Sequence, residues 1–160
     1  MKPDLCQQWI GAMAGELICE IIHNMSHIRL RVVSEAPERQ SVESMDGVLG
    51  LASSASCGMC MQFRSGYGLF ERLACNMIGD APEDREEVAE YAMEMFNIVC
   101  GRFISELCVA MKCCGRFQPT VYERPPDVTD MEDGGCNSIY FESDEDDIAV
   151  FSWKAMSDGR

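Results

Sequence analysis

The residues best suited to chemistry lie in the stretch from Glu83 to Cys113, which reads as one long helix with Gly115 marking its end. Its first turns are acidic, as the positive end of a helix dipole favours. At about 100° per residue, Ala92, Met95, Phe96, Val99, Phe103, Leu107 and Ala110 fall on one side. Glu90, Glu94, Asn97, Gly101 and Ser105 fall on the other. Glu94 and Asn97, three residues apart, then project together from the outer face, with Gly101 one turn further along. Asn and Gly are both poor choices inside a helix. The amide competes for backbone hydrogen bonds, and glycine costs about 1 kcal/mol relative to alanine. Two readings account for them: another molecule approaches closely and an amide reaches into it, or a solvated face tolerates both.

Other reactive residue types give weaker patterns. Ten cysteines would suit a disulfide scaffold in a small secreted protein, but Met1-Lys2-Pro3-Asp4 opens without the apolar run of a secretory signal. The CxxC of Cys57-Gly58-Met59-Cys60 falls in an expected strand, where residues three apart point to opposite faces. Adding Cys113-Cys114 gives no standard zinc spacing, so buried, reduced thiols and no bound metal are expected. His23 and His27 are four apart, but Asn24-Met25-Ser26 between them reads as a helix end, which argues against a metal pair. No GxGxxG or Walker spacing occurs. The balance of 13 Lys+Arg against 27 Asp+Glu, a formal net charge of −14, lacks the basic clusters that recruit phosphate backbones. Nucleic acid and anionic membrane are therefore excluded as partners, and a cytoplasmic location is expected.

Around the long helix, the 160 residues read as a single domain spanning 1–160. Asp4 caps a first helix to about Asn24, with Leu5, Trp9, Ala12, Met13, Leu17, Cys19 and Ile21 as its apolar face. Ile28–Ser34 alternates as a half-buried strand, and Pro37 to Met45 is a polar turn. Gly47–Ala52 and Gly58–Phe63 form a hairpin, and Ser65-Gly66 begins a second helix that Gly79 closes. After the long helix, Phe117, Val121 and Tyr122 suggest one strand. Ser138–Glu142 and Asp147–Lys154 then pair through Ser143-Asp144-Glu145-Asp146. Three acidic runs, Glu83–Glu90, Asp127–Asp133 and Glu142–Asp147, read as solvated starts, loops or turns. The class is α+β, a mostly antiparallel sheet of about six strands with three helices packed on it.

Glu94-Met95-Phe96-Asn97-Ile98-Val99-Cys100-Gly101, preceded by Ala89-Glu90 and followed by Ser105-Glu106-Leu107, resembles the E-x-x-N…G helix of the CheC/CheX/FliY chemotaxis phosphatases. Gly47–Phe63 resembles that family's glycine-bearing hairpin, Gly66–Gly79 its next helix, and Gln118-Pro119-Thr120-Val121 its "PTV" segment. The resemblance covers about Gly47 to Glu123. It implies removal of phosphate from the aspartyl phosphate of a CheY-like response-regulator receiver domain. Asn97 would orient the attacking water and Glu94 would pair with the receiver's lysine. Glu90, Ile98, Gly101 and Ser105 would line the contact, with Gly101 leaving room for the docked backbone. The Mg²⁺ would belong to the receiver, so no cofactor is expected on this chain. The alternative is a non-catalytic module on the same fold that binds a receiver or a flagellar-switch component.

CheC-type members carry two ExxN motifs, whereas here Glu16-Leu17-Ile18-Cys19 and Glu20-Ile21-Ile22-His23 lack the Asn. That is similar to CheX-like members with one site per protomer, which implies a homodimer. Trp9-Ile10-Gly11, Met95-Phe96 and Arg102 depart from the usual CheX-like pattern.

Overall fold

A helix that must bury an apolar stripe and a sheet that must bury one face satisfy each other, and this chain is built on that exchange. The computed structural model describes residues 3–54, 58–112, 115–125 and 136–156. In chain order these form α1 (Pro3–Ser26), β1 (Leu30–Val33), α2 (Arg39–Glu43), β2 (Asp46–Ser54), β3 (Gly58–Ser65), α3 (Tyr67–Ile78), α4 (Arg85–Met111), β4 (Gly115–Phe117), β5 (Val121–Glu123), β6 (Asn137–Ser143) and β7 (Ile148–Met156). The acidic run 127–133, Cys57, Cys113 and Cys114 lie outside the described residues. Among those described, no helix is long and apolar enough to cross a membrane.

The class is α+β, as the sequence implies, with every strand pair antiparallel. The strand order is β1-β6-β7-β3-β2-β4, with β5 also on β2. Seven strands and four helices replace the six and three expected, for two physical reasons. The polar stretch before Met45 winds into the single turn and a half of α2 rather than a bare turn. The strand expected through Phe117 and Tyr122 is broken in two. Ala52 faces Phe117 and Leu49 faces Val121, so Gly50 and Leu51 of β2 lie opposite three residues, Gln118, Pro119 and Thr120. That extra residue is a β-bulge, placed where Pro119 has no N–H for the ladder.

Helix termini follow local chemistry. Asp84 caps α4 by accepting from the Glu87 N–H at 2.9 Å, and Gly79 closes α3 at a φ of 84°. The end of α4 differs from expectation: Lys112 takes the left-handed turn at a φ of 53°, and Gly115 belongs to β4. Asp4 lies inside α1 rather than capping it, and α1 runs on to Ser26. His27 then leaves the helix at a φ of 60°, so the His23 and His27 rings meet edge-on, 6.1 Å apart. Among the described residues no cluster suits a metal ion.

The core is a network of rings between α4 and the sheet. Phe63 lies 6.4 Å from Phe96 and 6.3 Å from Phe141, while Phe151 lies 5.6 Å from Phe103 and 6.2 Å from Phe96. All five are essentially fully buried, and burial of each ring is worth about 1.5–3 kcal/mol. Ala92, Met95, Val99 and Leu107 extend the stripe as expected, but Ala110 is exposed because α4 overruns β2 at that end. On α1 the buried stripe is Ile10, Ala14, Leu17, Ile18, Ile21 and Ile22. It is rotated from the expected one, leaving Trp9 and Ala12 exposed. Isoleucines compete for the core better than an indole with a polar edge to satisfy.

The helix packs tightly against the sheet at Gly50, where a Cβ would lie 2.6 Å from Cys100 Sγ and 3.4 Å from the Phe96 ring. Cys100 is wholly buried, and burial pushes its thiol well above the ordinary range, so it acts as a small apolar filler. Gly50→Ala is expected to cost about 1–3 kcal/mol in urea denaturation, because α4 must lift off β2. Adding Cys100→Ala to that variant should recover part of the loss.

Candidate functional site

Outward from this seat, the stretch of α4 from Glu90 to Ser105 carries the candidate residues. Glu90, Glu94, Ile98 and Ser105 are exposed, while Asn97 and Gly101 are half-buried. The expected outer face therefore exists, but Asn97 does not point freely from it. Its Oδ1 accepts from the Thr120 N–H at 3.1 Å. The Thr120 Oγ1 donates back to the Met93 carbonyl, one turn before Asn97, at 3.0 Å. The bulge turns Thr120 toward the helix instead of into the ladder. Thr120 is almost fully buried there.

This arrangement fixes which end of the amide faces inward. With Oδ1 facing a backbone N–H, which can only donate, the Nδ2 group has no partner among the described residues. Glu94, one turn earlier, is exposed and makes no ion pair among the described residues. A tethered amide and an exposed carboxylate thus share one turn of helix. Arg102, one turn beyond Ile98, reaches to Glu20 of α1 at 3.6 Å and lies on the side away from the bulge.

Gly101 meets a neighbour within its own chain. A Cβ there would lie 3.3 Å from the ring of Phe117, which closes over the glycine from β4. The close approach that Gly101 permits is made by this chain's own aromatic side chain. Phe117 remains 38% exposed and Ile98 40%, so both present apolar surface near Asn97. On the other side of Glu94, a groove of about 590 Å³ runs between α4 and β5. It is lined by Glu90, Met93, Val121 and Tyr122 among others. Tyr122 is held in that lining by donating to the buried carboxylate of Asp46. Burial and that bond push the Tyr122 hydroxyl well above its ordinary range.

Thr120 and Phe117 are the contributors that helix periodicity could not supply, since both lie on the sheet edge. A mid-helix Asn with no partner on its own helix was the available signal that one lay elsewhere.

No described protein family matches the chain by sequence pattern, and no curated protein does. Solved structures do match in fold. A chemotaxis protein CheX from Desulfovibrio desulfuricans aligns with a TM-score of 0.76 at 10% identity, over 92% of this chain and 99% of that one. CheX from Vibrio vulnificus aligns with a TM-score of 0.71 at 18% identity, over 88% and 95%. CheX from Borrelia burgdorferi, solved as a CheX–CheY–BeF3–Mg complex, aligns with a TM-score of 0.73 at 13% identity, over 92% and 98%. The fold is that of the CheX and CheC-like chemotaxis proteins.

The two glycines that α4 meets or contains should respond oppositely to a methyl group. At Gly101 the neighbour is the rim of a part-exposed ring that can yield, and alanine regains about 1 kcal/mol of helix propensity. Gly101→Ala is therefore expected to leave the melting temperature unchanged or raise it, whereas Gly50→Ala lowers it. Thermal denaturation of the two variants side by side checks the contrast.

Proposed function

We propose that this chain, built on the CheX/CheC-like fold, hydrolyses the aspartyl phosphate of a CheY-like receiver domain in the cytoplasm. The observation that carries the reading is the Glu94/Asn97 pair on an exposed turn of α4, with the amide held from behind by Thr120. The Borrelia burgdorferi neighbour, solved with CheY, BeF3 and Mg, supports a receiver as the partner class. Water attacks the phosphorus, the bond to the aspartyl oxygen breaks with its electrons, and the carboxylate leaves. The water proton passes to the phosphate released. An acyl phosphate is labile enough that holding the water in line and stabilising the phosphoryl oxygens suffices. A neutral amide suits that task, because it can donate to a phosphoryl oxygen and accept from a water without taking a proton. Glu94 docks the receiver's lysine, a charge-assisted contact that fixes register. The Mg²⁺ is the receiver's.

Asn97→Ala should abolish accelerated phosphate release while leaving receiver binding in place. Glu94→Ala should act mainly on affinity, raising KM for the phospho-receiver with a smaller effect on kcat. Glu94→Ala should leave the melting temperature unchanged, as its side chain is exposed. Phosphate release from a phospho-receiver at limiting and saturating concentrations separates these effects. If Asn97→Ala keeps the full rate at both, the protein is a binding module and not a phosphatase.

With a single Glu/Asn pair, the protomer works as half of a two-fold dimer that covers a strand edge. Light scattering at micromolar concentration is expected to give twice the mass of one 17.9 kDa chain.

A further inference from the structure

We infer that Thr120 is the positioning residue for Asn97, setting which end of the amide meets the phosphoryl group; this rests on the phosphatase reading above. Three observations converge on it. The bulge at Gln118–Thr120 takes the Thr120 N–H out of the ladder with β2, and that N–H finds Asn97 Oδ1 at 3.1 Å. The Thr120 hydroxyl donates to the Met93 carbonyl at 3.0 Å, so this one residue is clipped to both ends of the same helical turn. Thr120 is only 6% exposed, so water does not compete well for either bond.

Together these bonds remove the rotational freedom of the amide. A free Asn could present either end to a partner, and half of its orientations would offer oxygen to an already anionic phosphoryl group. With Oδ1 held, Nδ2 is the outward donor, and a remaining lone pair on Oδ1 can take a hydrogen of the attacking water. The Thr120 N–H also draws electron density from Oδ1, which makes the Nδ2 hydrogens stronger donors. Preorganised donors of this kind are effective because they need no reorientation as charge develops.

The test uses Thr120→Val, which keeps the β-branched shape and the backbone N–H but loses the bond to Met93. It is compared with Thr120→Ser, which keeps that bond. Both are assayed on a phospho-receiver against wild type and Asn97→Ala, and Thr120 amide exchange is followed by NMR. Thr120→Val is expected to lower kcat about tenfold with KM within about twofold, and Thr120→Ser to restore wild-type kcat. The Thr120 N–H should be protected in wild type and exposed in Asn97→Ala. An active wild type whose kcat is untouched by Thr120→Val, or whose loss Thr120→Ser fails to rescue, overturns the inference and leaves the phosphatase reading standing. A Thr120→Val loss shared equally by KM and kcat also overturns it, as does a Thr120 N–H that exchanges equally fast with and without Asn97. A wild type with no activity on phospho-receivers overturns both.

Discussion

Helix α4 can lie as close to β2 as it does because position 50 carries no side chain. Cys100 occupies the space a Cβ would need, and Phe96 borders it. Everything on the outer side of the helix inherits its position from this contact. The rings of Phe96 and Phe103 fix the rotation of α4 about its own axis by locking against Phe63 and Phe151. Gly50 then sets its height above the sheet. Close packing makes such a seat stiff, since a displacement of half an ångström already forfeits a good part of the contact energy.

The bulge beside that seat ties the sheet edge to the outer face of the helix. Gly50 is one of the two β2 residues opposite it, and a Cβ on Gly50 would also touch the Thr120 methyl at 3.7 Å. Helix, glycine and bulge therefore form one unit in which three backbones approach each other. The hydrogen bonds of Thr120 to Asn97 and Met93 are short-range products of that geometry. Bulges commonly re-aim groups beside functional sites, and here the re-aimed group is a backbone N–H rather than a side chain.

Much of this was legible in the sequence, and the limits have clear causes. The apolar stripe of α4 follows from helical periodicity and held from Ala92 to Leu107, because a long helix over a sheet leaves little choice of face. It failed at Ala110, where the helix runs past its partner strand. On α1, periodicity located the helix but misplaced its stripe, since a segment rich in apolar residues all round does not reveal which of them the core takes. The outer-face grouping of Glu90, Glu94, Asn97, Gly101 and Ser105 was readable in the same way. Its tie to the sheet was not. Thr120 and Phe117 lie some twenty residues further on, and only pairing register brings them to the helix. Nor does composition reveal a bulge, although Pro119 between Phe117 and Val121 was a clue that the strand could not continue unbroken.

The bulge also bears on how the sheet can grow. β4 and β5 lie at one edge of the sheet and β1 at the other. An edge strand normally offers a continuous row of donors and acceptors on which another chain can nucleate. Here that row is interrupted: Pro119 brings no N–H, and the N–H of Thr120 is taken by Asn97. What remains on either side is a pair of three-residue stubs, too short to template a registered strand. The Asn97 amide thus helps keep this margin closed to fibril-like addition. The opposite margin, Leu30–Val33, is a four-residue strand without such a break.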